Sequence, residues 1–143
     1  MNRVNIITLG VSNIKASLEF YSSLGFEASV IGDESMPDIV FFRVSGSKLA
    51  LFPIEKLSAE TGTEMSFTNG GFNGITLAYN VKSEKEVDEF LVKAESLGAK
   101  VTSEAIRQAW GGYSGYFTDL DGYMWEVAYG PNWTFDDQDM LII

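Results

Sequence analysis

The sequence predicts an α+β fold of two tandem βαβββ modules, each forming a concave, partly open mixed sheet with its helix on the outer face. Three observations predict it. Strand-like and helix-like runs follow in the same order twice along 143 residues. Short motifs of the first half are answered in the second. The chain also closes on a hairpin: Asp119-Leu-Asp121-Gly122 lies between two aromatic-rich runs, and Asp caps its own backbone while Gly tolerates positive φ.

In the first module Asn5 to Val11 is a β-branched run, ending at Ser12-Asn13, either of which can cap a helix. Ile14, Leu18 and Tyr21 then repeat at helical spacing until Leu24-Gly25, where the glycine ends the helix. Phe26 to Ile31 reads as a strand, followed by the polar break Gly32 to Pro37, a strand Ile39 to Val44, the turn Ser45-Gly46-Ser47 and a strand Lys48 to Phe52. Pro53 to Gly62 reads as a short helix or loop, and Thr63 to Gly71 as a linker.

The order then begins again. Gly74 to Tyr79 is a strand, and Ser83-Glu-Lys-Glu86 has capping-box spacing. Val87, Phe90, Leu91 and Ala94 continue a helical face to Leu97-Gly98. Lys100 to Arg107 and the closing hairpin complete the second module. Ile7-Thr-Leu-Gly10 answers Ile75-Thr-Leu-Ala78, Leu24-Gly-Phe-Glu27 answers Leu97-Gly-Ala-Lys100, and Phe41 to Leu51 answers Phe117 to Val127. A repeat of about 70 residues exceeds solenoid periods and points to two fused modules. The expected division is 1–67 for the first module with its linker, 68–131 for the second, and 132–143 for a tail, all within one domain. The tail runs from acidic to apolar and is expected to pack on the sheet or on a partner subunit.

Composition removes whole classes of chemistry. There is no cysteine, so disulfides and thiolate metal sites are excluded, and no histidine, so every imidazole-based triad is excluded. Twenty acids against ten Lys plus Arg give a net charge of −10, which repels nucleic acid and anionic membranes and attracts cations. Neither a signal-like apolar core nor a run of the ~20 apolar residues a membrane span needs is present, so the expectation is a soluble cytoplasmic protein.

Strand alternation assigns the faces. Ile75, Leu77 and Tyr79 oppose Gly74, Thr76 and Ala78, while Tyr123, Trp125, Val127 and Tyr129 oppose Met124, Glu126 and Ala128. The bulky faces are expected to meet the helices. The small and polar faces, with Glu126, are expected to line an open cup.

Paired βαβββ modules, the helix carrying Ser17-Leu-Glu-Phe20-Tyr21 before Leu24-Gly25-Phe26, and the closing Asp119-Leu-Asp121-Gly122-Tyr-Met-Trp125-Glu126-Val resemble the vicinal oxygen chelate superfamily. That superfamily includes glyoxalase I, extradiol dioxygenases, fosfomycin-resistance enzymes and bleomycin-binding resistance proteins. The resemblance spans about residues 4 to 131 and implies a homodimer. Its metal enzymes place one ligand on the first and one on the last strand of each module, positions that fall here on Ile6, Ala50, Gly74 and Glu126. Only Glu126 offers a donor, and one carboxylate is too few for a catalytic divalent site, so the chain reads as a member lacking the histidine metal ligands, with no cofactor.

Glu126 then has three readings: a solvated remnant, a binding group for a cationic or hydrogen-bond-donating ligand, or a general base in an apolar cup. The candidate ligand-binding set is Thr8, Ala50, Thr76, Trp110, Tyr113, Met124 and Glu126. Trp110 and Tyr113, set among glycines, would be stacking walls or would fill a seam between modules or subunits. Arg43 is a candidate counter-ion for Glu126 or for an anionic group. The expected role is metal-free binding of a small neutral or cationic aromatic molecule, and the alternative is a metal-independent isomerase or lyase with Glu126 as its catalytic proton shuttle.

Overall fold

The computed structural model describes residues 3–63 and 72–142. The linker expected at Thr63 to Gly71 lies, apart from Thr63, outside them. The chain divides into two compact units, Met1–Thr68 and Asn69–Ile143. Each is a βαβββ module with an open four-stranded mixed sheet, as the sequence predicts.

The first unit runs β1 (Ile6–Val11), α1 (Ile14–Leu24), β2 (Ala28–Asp33), β3 (Met36–Phe42), β4 (Lys48–Pro53) and α2 (Ile54–Thr61). Its sheet order is β1-β4-β3-β2, with β1 parallel to β4 and the other pairs antiparallel. The parallel pairing requires a crossover, and α1 begins it because Asn13 Oδ1 accepts the Ala16 N–H at 3.0 Å. Gly25 ends the helix at φ 119°, where its N–H reaches the carbonyls of Tyr21 and Ser22. The apolar face of α1 then meets the sheet. Tyr21 and Phe42 are both fully buried with ring centroids 5.4 Å apart, each burial contributing about 2–3 kcal/mol.

The polar stretch Gly32 to Pro37 holds the β2–β3 turn, with Gly32-Asp33 ending one strand and Met36-Pro37 opening the next, so the break between strands is narrower than expected. Asp33 pairs with Met36, and Asp33 Oδ1 accepts the Ser35 N–H at 2.7 Å. Pro37 is tolerated beside a bulge at Ile31/Gly32 next to the sheet edge.

The second unit runs β5 (Leu77–Val81), α3 (Glu84–Ser96), β6 (Lys100–Arg107), β7 (Tyr113–Thr118) and β8 (Met124–Tyr129), in sheet order β5-β8-β7-β6. The predicted cap forms with its return bond displaced by one residue: Ser83 Oγ accepts the Glu86 N–H at 3.2 Å, and a Glu86 carboxylate oxygen accepts the N–H of Lys82, just before the cap, at 2.8 Å. The strand expected over Gly74 to Tyr79 instead starts at Leu77 and ends at Val81. Gly74 sits at φ 81°, outside the extended region, and pairing with β8 begins only at Leu77↔Trp125.

That shift revises the internal repeat. Val11 and Val81 end their strands and Asn13 and Ser83 cap the helices that follow, so the modules correspond two residues away from the Ile7/Ile75 match. A two-residue shift leaves every side chain on its expected face.

The faces follow the predicted alternation. Phe117, Trp125 and Val127 are buried against α3, where Phe90 meets Tyr79 at 4.7 Å and Phe117 at 6.2 Å between ring centroids. A Cβ on Gly115 would approach a Leu91 methyl to 2.6 Å, so the strand lies close under the helix. Phe117 and Trp125 stack across the β7–β8 pair.

Candidate functional site

The turn 119–123 fixes the register of the β7–β8 hairpin and with it the site. Asp119, 5% exposed, accepts the N–H groups of Asp121 (3.0 Å) and Tyr123 (2.8 Å) on Oδ1, and Gly122 takes φ 91°. Thr118 then faces Met124 and Tyr116 faces Glu126. Across the whole sheet this register makes one row, Ala78–Glu126–Tyr116–Ser103, on the face away from α3.

Glu126 is half-buried, and its Oε1 accepts the Tyr116 hydroxyl proton at 2.7 Å. Two oxygens at that distance make a charge-assisted hydrogen bond. The bond holds the Tyr116 proton, with burial adding to it, so the phenol titrates above its ordinary value. Ser114, one pair further along, is fully buried, and its Oγ has no hydrogen-bond partner of full geometry. It lies near enough to the Tyr116 oxygen to oppose part of that upward shift.

No Lys or Arg among the described residues forms an ion pair with Glu126. In its own unit Lys82 pairs with Asp139, Lys85 with Glu89 and Arg107 with Glu84. Lys100 stands opposite Thr118 on the edge strand without pairing to Glu126. Arg43, expected as a possible counter-ion, bonds Glu27 at 2.9 Å in the first unit.

The other residues singled out from sequence fall in several places. Met124 shares the Glu126 face, and its sulfur accepts from Thr102 Oγ1 at 3.6 Å. Thr76 is exposed and directly precedes β5. Tyr113 belongs to the helix side of the sheet, where its hydroxyl donates to Asp88 Oδ1 of α3 at 2.8 Å; this bond, with burial, raises its titration point. Trp110 stacks on Trp133 with centroids 5.6 Å apart and planes within 13°. The glycines beneath are what admit the two rings: any Cβ on Gly112 would run into the Trp110 indole, and one on Gly130 would lie 2.5 Å from the Trp133 indole. Thr8 and the fully buried Ala50 face each other in the first unit.

Sequence reasoning missed Tyr116 and Trp133 as partners of Glu126 and Trp110. The signal for Tyr116 was present, since counting back from the Asp119–Gly122 turn places it opposite Glu126. No comparable local signal links Trp133 to Trp110.

The strand-end positions implied by the superfamily's metal enzymes do not make a donor set. Ile6 is an exposed aliphatic, Ala50 a buried methyl and Gly74 has no side chain, and the two-residue shift merely exchanges Gly74 for Thr76 as the counterpart of Ile6. Among the described residues no three Asp or Glu are grouped to hold a metal ion. One carboxylate engaged by a phenol can accept protons and bind donors, but it does not supply the several ligands of a divalent catalytic site.

Comparison with known proteins agrees with the fold. The fosfomycin resistance protein FosX of Listeria monocytogenes is 30% identical over 129 residues, covering 87% of this chain and 86% of that protein. The metallothiol transferase FosB of Shouchella clausii is 28% identical, covering 91% and 82%. A glyoxalase-related enzyme from Fulvimarina pelagi superposes with a TM-score of 0.87 at 28% identity, covering 100% of this chain and 99% of that one. The model of the Glyoxalase/Bleomycin resistance protein/Dioxygenase superfamily matches residues 3–127. With two βαβββ modules, the Asp119–Gly122 hairpin and that match over most of its length, the chain belongs to the glyoxalase/bleomycin resistance protein/dioxygenase superfamily.

Proposed function

We propose that the chain is a metal-free, small-molecule-binding member of this superfamily, taking a neutral or cationic aromatic ligand on the open face of the second unit. One observation carries the reading: Glu126 is half-buried, held at one oxygen by Tyr116 and ion-paired to nothing described. A carboxylate withdrawn from water without a cation is costly, and a ligand that donates to it offsets that cost. Met124 and Ala78 border it on the same face. Two relatives carry names that refer to fosfomycin resistance or metallothiol transfer; the metal chemistry in the second name needs a donor set that the described residues do not group, so only the capacity to hold a small molecule is carried over. A homodimer and a cytoplasmic location belong to the same reading, supported by the resemblance and by the acidic, cysteine-free composition.

The test is a thermal-shift screen with neutral and cationic aromatic compounds, repeated on Glu126→Gln. Stabilisation of the wild type that the variant loses is the expected result. If no compound stabilises the wild type, or the substitution leaves all binding unchanged, Glu126 has no such role.

The Tyr116–Glu126 hydrogen bond favours a second reading, a metal-independent isomerase or lyase, because it sets a proton donor beside a proton acceptor. Metal analysis of the purified protein tests the premise that both readings share. A stoichiometric divalent metal would overturn the donor-set argument.

A further inference from the structure

We propose that the group received at Glu126 is a protonated amine, and that Tyr116 is the positioning residue that makes the carboxylate a one-sided acceptor for it. This rests on the binding reading above and narrows its ligand class. With Oε1 occupied by the Tyr116 hydroxyl at 2.7 Å, Oε2 is the oxygen left for a ligand. Tyr116 keeps its proton, so the pair as a whole carries one negative charge, and three of the five Lys and Arg in this unit are paired elsewhere. An ammonium supplies both the missing charge and the hydrogen-bond donor, whereas a neutral hydroxyl supplies only the donor. An anion would meet a carboxylate and a protein of net charge −10.

Ser114 supports the same assignment from a separate observation. Its Oγ is buried, lacks a partner of full geometry and lies beside the Tyr116 oxygen on the same face, where it can donate to that oxygen while Tyr116 donates to Glu126. A hydroxyl chain of that polarity, Ser114 to Tyr116 to Glu126, sends every donor toward the carboxylate and leaves it only acceptor capacity.

The experiment is calorimetric titration of the full chain with three probes of one shape: benzylamine, benzyl alcohol and benzoate. Benzylamine is expected to bind at least about tenfold more tightly than the alcohol, the difference a charge-assisted bond makes. Benzoate is expected not to bind. Glu126→Gln should abolish the amine's advantage. Tyr116→Phe should weaken benzylamine by about three- to tenfold while lowering the melting temperature of the unbound, still folded protein by only about 2–4 °C. A measurement on the wild type alone stands beside the variants: with carbon-13 tyrosine, the Tyr116 ring resonance should move on adding the amine and not the alcohol. Equal affinity for amine and alcohol would overturn this inference and leave the binding reading intact. An amine preference that persists in Glu126→Gln, or a Tyr116 resonance indifferent to the amine, would also overturn it. If aromatic compounds of every charge fail to bind, both readings fall.

Discussion

The two units build the same sheet and put different chemistry on it. Reading across each sheet in register, the first unit has Thr8–Ala50–Phe41–Ser29 where the second has Ala78–Glu126–Tyr116–Ser103. The rows on the helix side are alike in kind: Ile7–Leu49–Phe42–Ala28 answers Leu77–Trp125–Phe117–Val101. Burial against a helix tolerates only apolar side chains of fitting volume, so both modules keep that face apolar. The opposite faces differ: in the first unit Ile54 and Leu57 of α2 lie over Gly10 on that face and Ala50 is fully buried, whereas Glu126 is half-buried in the second, and there the pair Ala50 and Phe41 stands against Glu126 and Tyr116.

If the helix-side faces are equivalent, they should fail equally. Phe42→Ala and Phe117→Ala each empty a fully buried ring site, at 1% and 0% exposure, and each should cost about 3–5 kcal/mol in urea unfolding. A difference of more than about 2 kcal/mol between them would mean that the two cores are not built alike.

The open faces should break the equivalence when exchanged. Ala50→Glu places a carboxyl where the first unit is fully buried, and should cost roughly 2–4 kcal/mol because Phe41, opposite it, has no phenol to donate. Adding Phe41→Tyr restores the cross-strand phenol that Tyr116 provides in the second unit, and should recover about 1 kcal/mol. No recovery in the double variant would show that register alone does not create the pair.

Much of this difference could be read from residue order. Alternation assigns Trp125 and Val127 to one face and Met124 and Glu126 to the other, because the side-chain period of a strand is two whatever the sheet later packs against. The Asp119–Gly122 turn contained the register that pairs Tyr116 with Glu126. The start of β5 was less legible: Gly74-Ile-Thr-Leu matches Ile6-Ile-Thr-Leu in apolar rhythm, yet β5 begins only where β8 offers partners, and that is a long-range fact. Tyr113 misled for a similar reason. Its neighbours suggested a ligand wall, but its place two residues from Gly115 and four from Phe117 puts it on the helix side, where Asp88 takes its proton. The Trp110–Trp133 stack joins residues on either side of β7 and β8 and depends on the absence of side chains at Gly112 and Gly130. Composition shows that those glycines exist, but not which rings lie over them.

Tyr116 also gives the second unit a pH dependence that Phe41 cannot give the first. Its folded titration point is raised by the bond to Glu126, so the stability it contributes is fully present below the ordinary phenol value of about 10 and is lost as pH rises through the higher folded value. Tyr113 acts in the same sense through Asp88. Tyr116→Phe should cost about 1 kcal/mol at neutral pH and flatten the alkaline fall in stability followed by circular dichroism. An unchanged alkaline limb would show that Tyr116 is not its source.

The smallest expected effect concerns the ion pairs, where the units differ in placement. Arg43–Glu27 in the first unit joins two side chains that are 65% and 69% exposed, so water and salt screen it on every side. Arg107–Glu84 in the second unit joins a 76% exposed arginine to a carboxylate that is 35% exposed and stands in the first turn of α3, where the positive end of the helix already favours a negative charge. Removing Arg107 therefore leaves Glu84 with a remaining partner in the helix terminus, whereas removing Arg43 leaves Glu27 to solvent. Double-mutant cycles should return coupling energies of at most about 0.5 kcal/mol for both pairs, vanishing at high salt for Arg43–Glu27 and persisting slightly for Arg107–Glu84. A salt-resistant coupling at Arg43–Glu27 would place that pair in a drier setting than its exposure allows, and would remove this distinction between the two units.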